Sequence, residues 1–252
     1  MSTSVNTLNN VERPFHYSGN KKTVLKKCDF DIPECKRIVE PFMGAACFSI
    51  SSGKEWFGID SNAELVLMME WLKTVDESQL WELRRYEGKR VSIKDIPERQ
   101  EIKTYLRINI SGVYVGQLSS WIIYEQHKLP VEQTIRCLPS IRKGTFYCGD
   151  ALSYAPEDGD LVFIDPPYIN TEPNYKSKKK DYKYMNPSVL SEFVKGLEVP
   201  WIFTYGQGAK ELFPDFDWKE VYTRRVPNIR MGGTVERTEH ICFSYDARYR
   251  RI

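Results

Sequence analysis

Two textures alternate along the chain. Short, wholly apolar runs give way to stretches in which apolar residues recur every three or four positions, the marks of buried strands and of amphipathic helices. Arg37-Ile38-Val39-Glu40-Pro41-Phe42 starts as a strand and ends in a loop, and residues 43–50 pass from small residues into an apolar run that suits a helix. A second strand over 55–59 stops at Asp60. Residues 62–75 then carry Leu65, Met68, Met69 and Leu72 on one helical stripe, with Glu64 and Glu70 outside it. Later strands are expected at 145–148, at Leu161-Val162-Phe163-Ile164 and at 201–205, with closing strands over 220–226 and 239–245. The run at 161–164 is apolar throughout, as in a strand covered on both faces. A helix over 188–197 has Ser188 as its expected cap.

Strands alternating with helices imply an α/β fold built on an open, mostly parallel sheet. Such sheets bind ligands at the carboxyl ends of their strands. The loops at 40–44, at Asp60, at Asp150 and at 165–168 all fall on that edge. The alternation is interrupted between residues 76 and 142. Leu80, Leu83 and Tyr86 suggest one helix there, and further helices are expected over 93–106 and 118–129, around a loop with Gly112, Gly116 and Gln117. The organisation is therefore read as a catalytic domain in two parts, 1–75 and 143–252, around a small, mainly helical insertion over 76–142.

Composition changes little in this picture. A chain of 252 residues, 41% hydrophobic and 28% charged, is ordinary for one α/β domain with an insertion. Its net charge of +2 neither demands nor excludes nucleic acid, so the placement of charge matters more than the sum. The six cysteines are scattered with no CxxC pair, which argues against a zinc site and for free thiols. No apolar run approaches the roughly 20 residues that span a bilayer. No membrane partner is expected, and a cytoplasmic setting is.

Phe163-Ile164-Asp165-Pro166-Pro167-Tyr168 carries the chemistry. A buried strand ends in a carboxylate, two prolines fix the backbone, and an aromatic ring follows. An amine conjugated to a purine is a poor nucleophile because its lone pair is delocalised. Accepting both of its N–H bonds, through the Asp165 carboxylate and the Pro166 carbonyl, favours a localised lone pair. Tyr168 can stack on the base, an interaction worth roughly 1–3 kcal/mol, against the few kcal/mol needed to take a base out of a duplex. By itself the tetrapeptide is also compatible with a turn, which Asp-Pro often initiates.

From about Phe15 to Tyr245 the chain resembles the Dam-type (D12 class) adenine-N6 DNA methyltransferases, phage members included. Phe15-His16-Tyr17-Ser18-Gly19-Asn20-Lys21 is similar to that family's N-terminal cofactor segment, Glu40-Pro41-Phe42-Met43-Gly44-Ala45-Ala46 to its cofactor loop, Asp60 with Asn62 to the acidic end of its second strand, and Asp165-Pro166-Pro167-Tyr168 to its catalytic loop. The resemblance implies a Rossmann-like fold and S-adenosylmethionine as methyl donor, with S-adenosylhomocysteine as product and no metal. It implies a cofactor site drawn from Tyr17, Lys21, Glu40, Pro41, Phe42, Gly44, Ala45, Asp60, Asn62, Asp150 and Asp165, in which Gly44 lets the backbone approach closely, Asp60 takes the ribose hydroxyls and Asp150 the adenine amine. The family's second loop glycine is Ala46 here, a small steric departure. The resemblance also implies that Asp165, Pro166, Pro167 and Tyr168 carry catalysis, by direct methyl transfer to an extruded adenine.

Double-stranded DNA is the implied partner, for a monomer or weak dimer that is phage-encoded or restriction-associated. Arg107, Asn109 and Gln117 are expected to read base edges. Lys178, Lys179, Lys180 and Arg230 are expected along the DNA. Further basic clusters, at Arg84-Arg85 with Lys89-Arg90, at Arg224-Arg225 and at Arg248 with Arg250-Arg251, are either phosphate contacts or solvated faces. Adenine in RNA is an alternative substrate that the same loop fits, and a catalytically silent nucleic-acid-binding protein is a third reading. Chemistry at a cytosine ring carbon is disfavoured, because no cysteine follows a proline.

Overall fold

The computed structural model describes residues 8, 10–17, 19–89, 91–110, 128–168, 186–227 and 234–252. In chain order the first half contains α1 (Lys22–Lys26), β1 (Cys28–Phe30), β2 (Arg37–Glu40), α2 (Cys47–Ser52), β3 (Glu55–Asp60), α3 (Ala63–Thr74), α4 (Glu77–Glu82), α5 (Gln100–Ile110) and α6 (Val131–Ile141). The second half contains β4 (Gly144–Cys148), β5 (Asp160–Ile164), α7 (Pro187–Lys195), β6 (Trp201–Tyr205), α8 (Ala209–Leu212), β7 (Lys219–Pro227), β8 (Thr234–Phe243) and β9 (Tyr249–Arg251).

Seven strands form one sheet in the order β4-β3-β2-β5-β6-β8-β7. The first five run parallel, and β8 is antiparallel to both β6 and β7. The expected mixed α/β architecture with a mostly parallel sheet is therefore present. From β2 the chain moves outward through β3 and β4, then returns to place β5 on the other side of β2, with Val39 opposite Val162. The direction of winding reverses there, at the carboxyl ends of β2 and β5, the point at which such sheets have their ligand crevice. Residues about 120 apart in sequence become neighbours at that point.

The interior lies on both sides of the sheet. One layer gathers Phe48, Trp56, Met68, Met69, Leu72 and Phe163, the other Ile164, Leu190, Phe203 and Phe213. The stripe on α3 is as its spacing predicts: Leu65, Met68, Met69 and Leu72 are all fully buried. Asn62 starts this helix by accepting the Glu64 and Leu65 N–H groups, at 3.1 and 3.4 Å.

Helices α5 and α6 pack on α3. Trp71 meets Tyr105 edge-on at 5.7 Å, and the Tyr105 hydroxyl bonds Thr134 at 2.7 Å. Their apolar residues share the core layer of α2 and α3. The helix expected over 93–106 is instead a 3-10 turn at Ile93–Asp95 followed by α5. Pro97 holds the residue before it extended, with Ile96 at φ −78° and ψ 143°, so the helix restarts later. Ser188 is not the cap of its helix: Asn186 accepts the Ser188 N–H at 2.9 Å, and Pro187 takes the first helical position. Strand β8 begins five residues earlier than expected, at Thr234. Most of the helix expected over 118–129 lies outside the described residues.

Candidate active site

The loop leaving β2 is held from below. Glu40 is buried, and its Oε1 accepts the Ser49 N–H at 2.8 Å in the first turn of α2, where a carboxyl group complements the helix dipole. Burial pushes its pKa up to about 8, partly offset by the bonds from Ser49. Glu40 therefore supports the loop, while Pro41 and Ala45 are buried within it and Phe42 packs under it. Gly44 has φ +47°, and a Cβ there would meet the Tyr17 ring at 3.4 Å. Ala46 has φ +48° and ψ +39° and is the one non-glycine residue with positive φ among the described residues. A methyl-bearing residue in this region costs about 1–2 kcal/mol. The departure from the glycine of the resembled family thus falls where the backbone is left-handed.

Asp60, at the end of β3, closes the same loop. Its Oδ2 accepts the Gly44 N–H at 3.1 Å and its Oδ1 the Asn62 N–H at 2.8 Å. Burial raises its pKa, and these two bonds oppose the rise. Strand β4 lies alongside, and the Gly149 N–H donates to the Asp60 carbonyl at 3.2 Å. Asp150 therefore comes next to Asp60, exposed, with its Oδ1 accepting the Leu152 N–H at 3.0 Å.

Across the crevice, Asp165 follows β5 directly. Its Oδ1 is paired with the Lys21 ammonium at 2.7 Å and accepts the Thr204 hydroxyl at 3.0 Å. Its Oδ2 accepts no bond among the described residues. Burial lifts the Asp165 pKa to about 6; Lys21 and Thr204 lower it, and the Glu239 charge raises it. Lys21 is itself buried, donates to the Gly19 carbonyl at 2.9 Å and sits 4.8 Å from the centre of the Tyr168 ring. The Tyr168 ring lies 4.7 Å from Tyr205 and over Gly206, where a Cβ would stand 2.5 Å from it. The Tyr168 hydroxyl donates to Glu239 at 2.7 Å.

The N-terminal segment that delivers Tyr17 and Lys21 is fastened to α5 and α6. Asn109 accepts the His16 N–H at 2.9 Å and donates to the Tyr105 carbonyl at 2.8 Å, while the Thr134 hydroxyl donates to the Pro14 carbonyl at 2.5 Å. This corrects the base-reading expectation for two residues. Arg107 and Asn109 are both buried, and Arg107 forms an ion pair with Glu64. The second half of α5, from Thr104 to Ile110, is buried on every side. Gln117, Lys178, Lys179, Lys180 and Arg230 lie outside the described residues. Among the other basic clusters, Arg84 and Arg85 pair with Glu132 and Glu98. Arg248, Arg250 and Arg251 pair with Asp31, Asp29 and Glu220 around the small β1–β9 sheet.

Tyr17, Lys21, Glu40, Gly44, Asp60, Asp165 and Tyr168 are thus brought together around one crevice, with Asp150 at its rim. Thr204, Tyr205, Gly206 and Glu239 complete the Asp165 side and were not anticipated. The signal for three of them was their place at the carboxyl end of a buried strand next to β5; Glu239 had none, because its pairing depends on the antiparallel return of β8. Among the described residues, no three His, Cys, Asp or Glu gather as a metal site, and no helix is long and apolar enough to cross a membrane.

No protein-family model matches the chain. Curated relatives do. The DNA N-6-adenine-methyltransferase of Escherichia phage P1 is 26% identical over 245 aligned positions, covering 84% of this chain. The type II methyltransferase M1.LlaDCHI of Lactococcus lactis subsp. cremoris is 23% identical over 273 aligned positions, covering 92%. A DNA adenine methylase of Vibrio cholerae serotype O1 is 20% identical over 195, covering 64%. The aligned part is 32% of the phage protein, 95% of the lactococcal one and 67% of the Vibrio one.

Proposed function

We propose that this chain is an adenine-specific DNA methyltransferase that uses S-adenosylmethionine and acts on an adenine turned out of the duplex. One observation carries the reading. At the reversal point of the sheet, Asp165 offers a carboxylate oxygen uncommitted among the described residues, beside the Tyr168 ring and the rigid Pro166-Pro167 rim. The relatives named for adenine methylation of DNA, and the order of strands in a Rossmann-like sheet, support it.

The donor set fits the cofactor. The close approach of backbone at Gly44, the Asp60 carboxylate and the exposed Asp150 line the adjoining half of the crevice; residues 41–46, Tyr17, Asp60, Asn62 and Asp150 would hold it, with Glu40 beneath. Bound there, the cofactor supplies a methyl group on a positively charged sulfur. The work of the chain is positioning and electrostatics. Asp165 Oδ2 and the Pro166 carbonyl would accept the two amine hydrogens and so localise the nitrogen lone pair. Lys21 and Thr204 hold the other carboxylate oxygen, Oδ1, and fix the plane of the group. Tyr168 stacks on the base. Ionised Asp165 would stabilise the positive charge that the amine gains on accepting the methyl group, and would pass the extra amine proton to solvent. The products are N6-methyladenine and S-adenosylhomocysteine. Segment 76–142 belongs to this proposal as the target-recognising insertion.

The test is transfer of labelled methyl groups to DNA and, separately, to RNA. Label in DNA at adenine N6, abolished by Asp165→Asn, is the expected result. Label in RNA alone would move the substrate, and no label in either would leave a silent binding protein.

A further inference from the structure

Strands β7 and β8 project past the crevice as an antiparallel pair whose two faces differ in charge. Tyr222 stands opposite Glu239, Arg224 opposite Arg237, and Thr223 and Arg225 opposite Thr238 and Glu236. Side chains alternate along a strand, so Tyr222, Glu239, Arg224 and Arg237 share one face, and Thr223, Thr238, Arg225 and Glu236 the other. The second face is neutralised within itself: the threonine hydroxyls bond at 2.8 Å and Arg225 pairs with Glu236 at 3.3 Å. The first face is not. Arg224 and Arg237 are both exposed and directly opposite one another, and neither has an acidic partner among the described residues. Like charges in that relation destabilise an antiparallel pair.

That face is also the one turned to the site, since Glu239 on it holds the Tyr168 hydroxyl. The arginine pair lies two residues further out, about 7 Å along the strands. We propose that Arg224 and Arg237 form a clamp for a backbone phosphate of the strand that carries the target adenine, next to the extruded nucleotide. The inference rests on the methyltransferase reading and adds to it a fixed point of contact. A phosphate between two guanidinium groups neutralises the repulsion that the free protein carries. Arginine suits the place, because its planar fork binds phosphate oxygens in pairs. The other described arginine clusters, Arg84 with Arg85 and Arg248 with Arg250 and Arg251, already have acidic partners.

The experiment compares the wild-type protein, the double variant Arg224→Gln/Arg237→Gln and the opposite-face control Arg225→Gln/Glu236→Gln. Affinity for a short random-sequence duplex is measured over a series of salt concentrations, beside methyl transfer to the same duplex and thermal unfolding without DNA. Loss of two phosphate contacts lowers the slope of log affinity against log salt by about 1.8, and the affinity in about 0.1 M salt by roughly fifty-fold. The control keeps the wild-type slope. Without DNA the double variant melts no lower than wild type, because a repulsive pair is gone. A wild type that methylates the duplex while the double variant keeps its salt slope overturns the clamp alone. An equal loss in the control, or a fall in melting temperature of the double variant, overturns it too. A wild type that neither binds nor methylates the duplex overturns the reading beneath it as well.

Discussion

The Tyr168 hydroxyl donates a 2.7 Å hydrogen bond to Glu239 Oε2, 71 residues further along the chain. With Gly206 beneath the ring and Tyr205 beside it, this bond leaves the ring one orientation. Glu239→Gln keeps an acceptor at that place and should retain most of the activity. Glu239→Ala should lower kcat about tenfold, at about 1.4 kcal/mol for a lost hydrogen bond, with the cofactor KM unchanged. Tyr168→Phe added to Glu239→Ala should cost little more, since both remove the same bond. Steady-state kinetics of the double-mutant cycle check this; additive losses would refute a shared role.

Acid sensitivity should follow Asp165. The amine-binding form is the ionised carboxylate, so kcat/KM for DNA should rise with pH through about 6 and then level. Lys21 lowers that pKa. Lys21→Ala should therefore move the midpoint to higher pH and leave less activity at neutrality. Glu239→Gln should move it the other way, because the Glu239 charge raises it. Three pH–rate profiles decide the matter, and a midpoint that ignores both substitutions would take Asp165 out of the titration.

Ala46 offers a gain in stability. Its φ of +48° suits glycine, and Ala46→Gly removes a steric penalty at the entrance of α2. Glycine also widens the unfolded ensemble, which offsets part of the gain. The net expectation is about 1 kcal/mol, or roughly 2–4 °C in Tm for a chain of this size. Calorimetry of the two proteins would show it.

Glu40 should make stability depend on pH. Its folded pKa of about 8 lies above its ordinary value of 4.5, so folding takes up a proton between the two. The stability contributed by neutral Glu40 is complete below the ordinary value, declines as pH rises, and is gone above about 8. Glu40→Gln keeps an acceptor for the Ser49 N–H and removes the titration. Relative to its value at about pH 5, its stability over wild type should grow to on the order of 2–4 kcal/mol at about pH 8. Urea unfolding at the two pH values measures the difference, and parallel curves would contradict it.

What could be read from the sequence was whatever is local. The apolar runs at β2, β5 and β6 and the stripe on α3 announce themselves, because burial on a strand or helix leaves its period in the chain. Asp165-Pro166-Pro167-Tyr168 and the loop after Glu40 could be placed for the same reason: each follows its strand without a gap. Arg107 and Asn109 misled because residue type says nothing about direction: both lie in the wholly buried half of α5, Arg107 on Glu64 and Asn109 on the backbone of His16 and Tyr105. Helix α6 was not expected, and it holds Pro139 inside its last turn, a residue that usually ends a helix. The partnerships of Lys21 with Asp165 and of Tyr168 with Glu239 join segments far apart in sequence, and only the strand order creates them.

The neighbouring placement of β2 and β5 has an evolutionary side. The two halves of the site meet across one strand pair, whatever length of chain travels between them. Lengthening a surface excursion is thermodynamically mild, at about 0.6 kcal/mol for each doubling of a flexible loop. The connection between β3 and β4 can therefore change in length by descent while the Asp165 carboxylate, the Tyr168 ring and the loop after β2 stay in register. Under the proposed function, target preference is free to drift on a fixed chemical centre, so descendants can come to mark new sequences without reinventing the reaction.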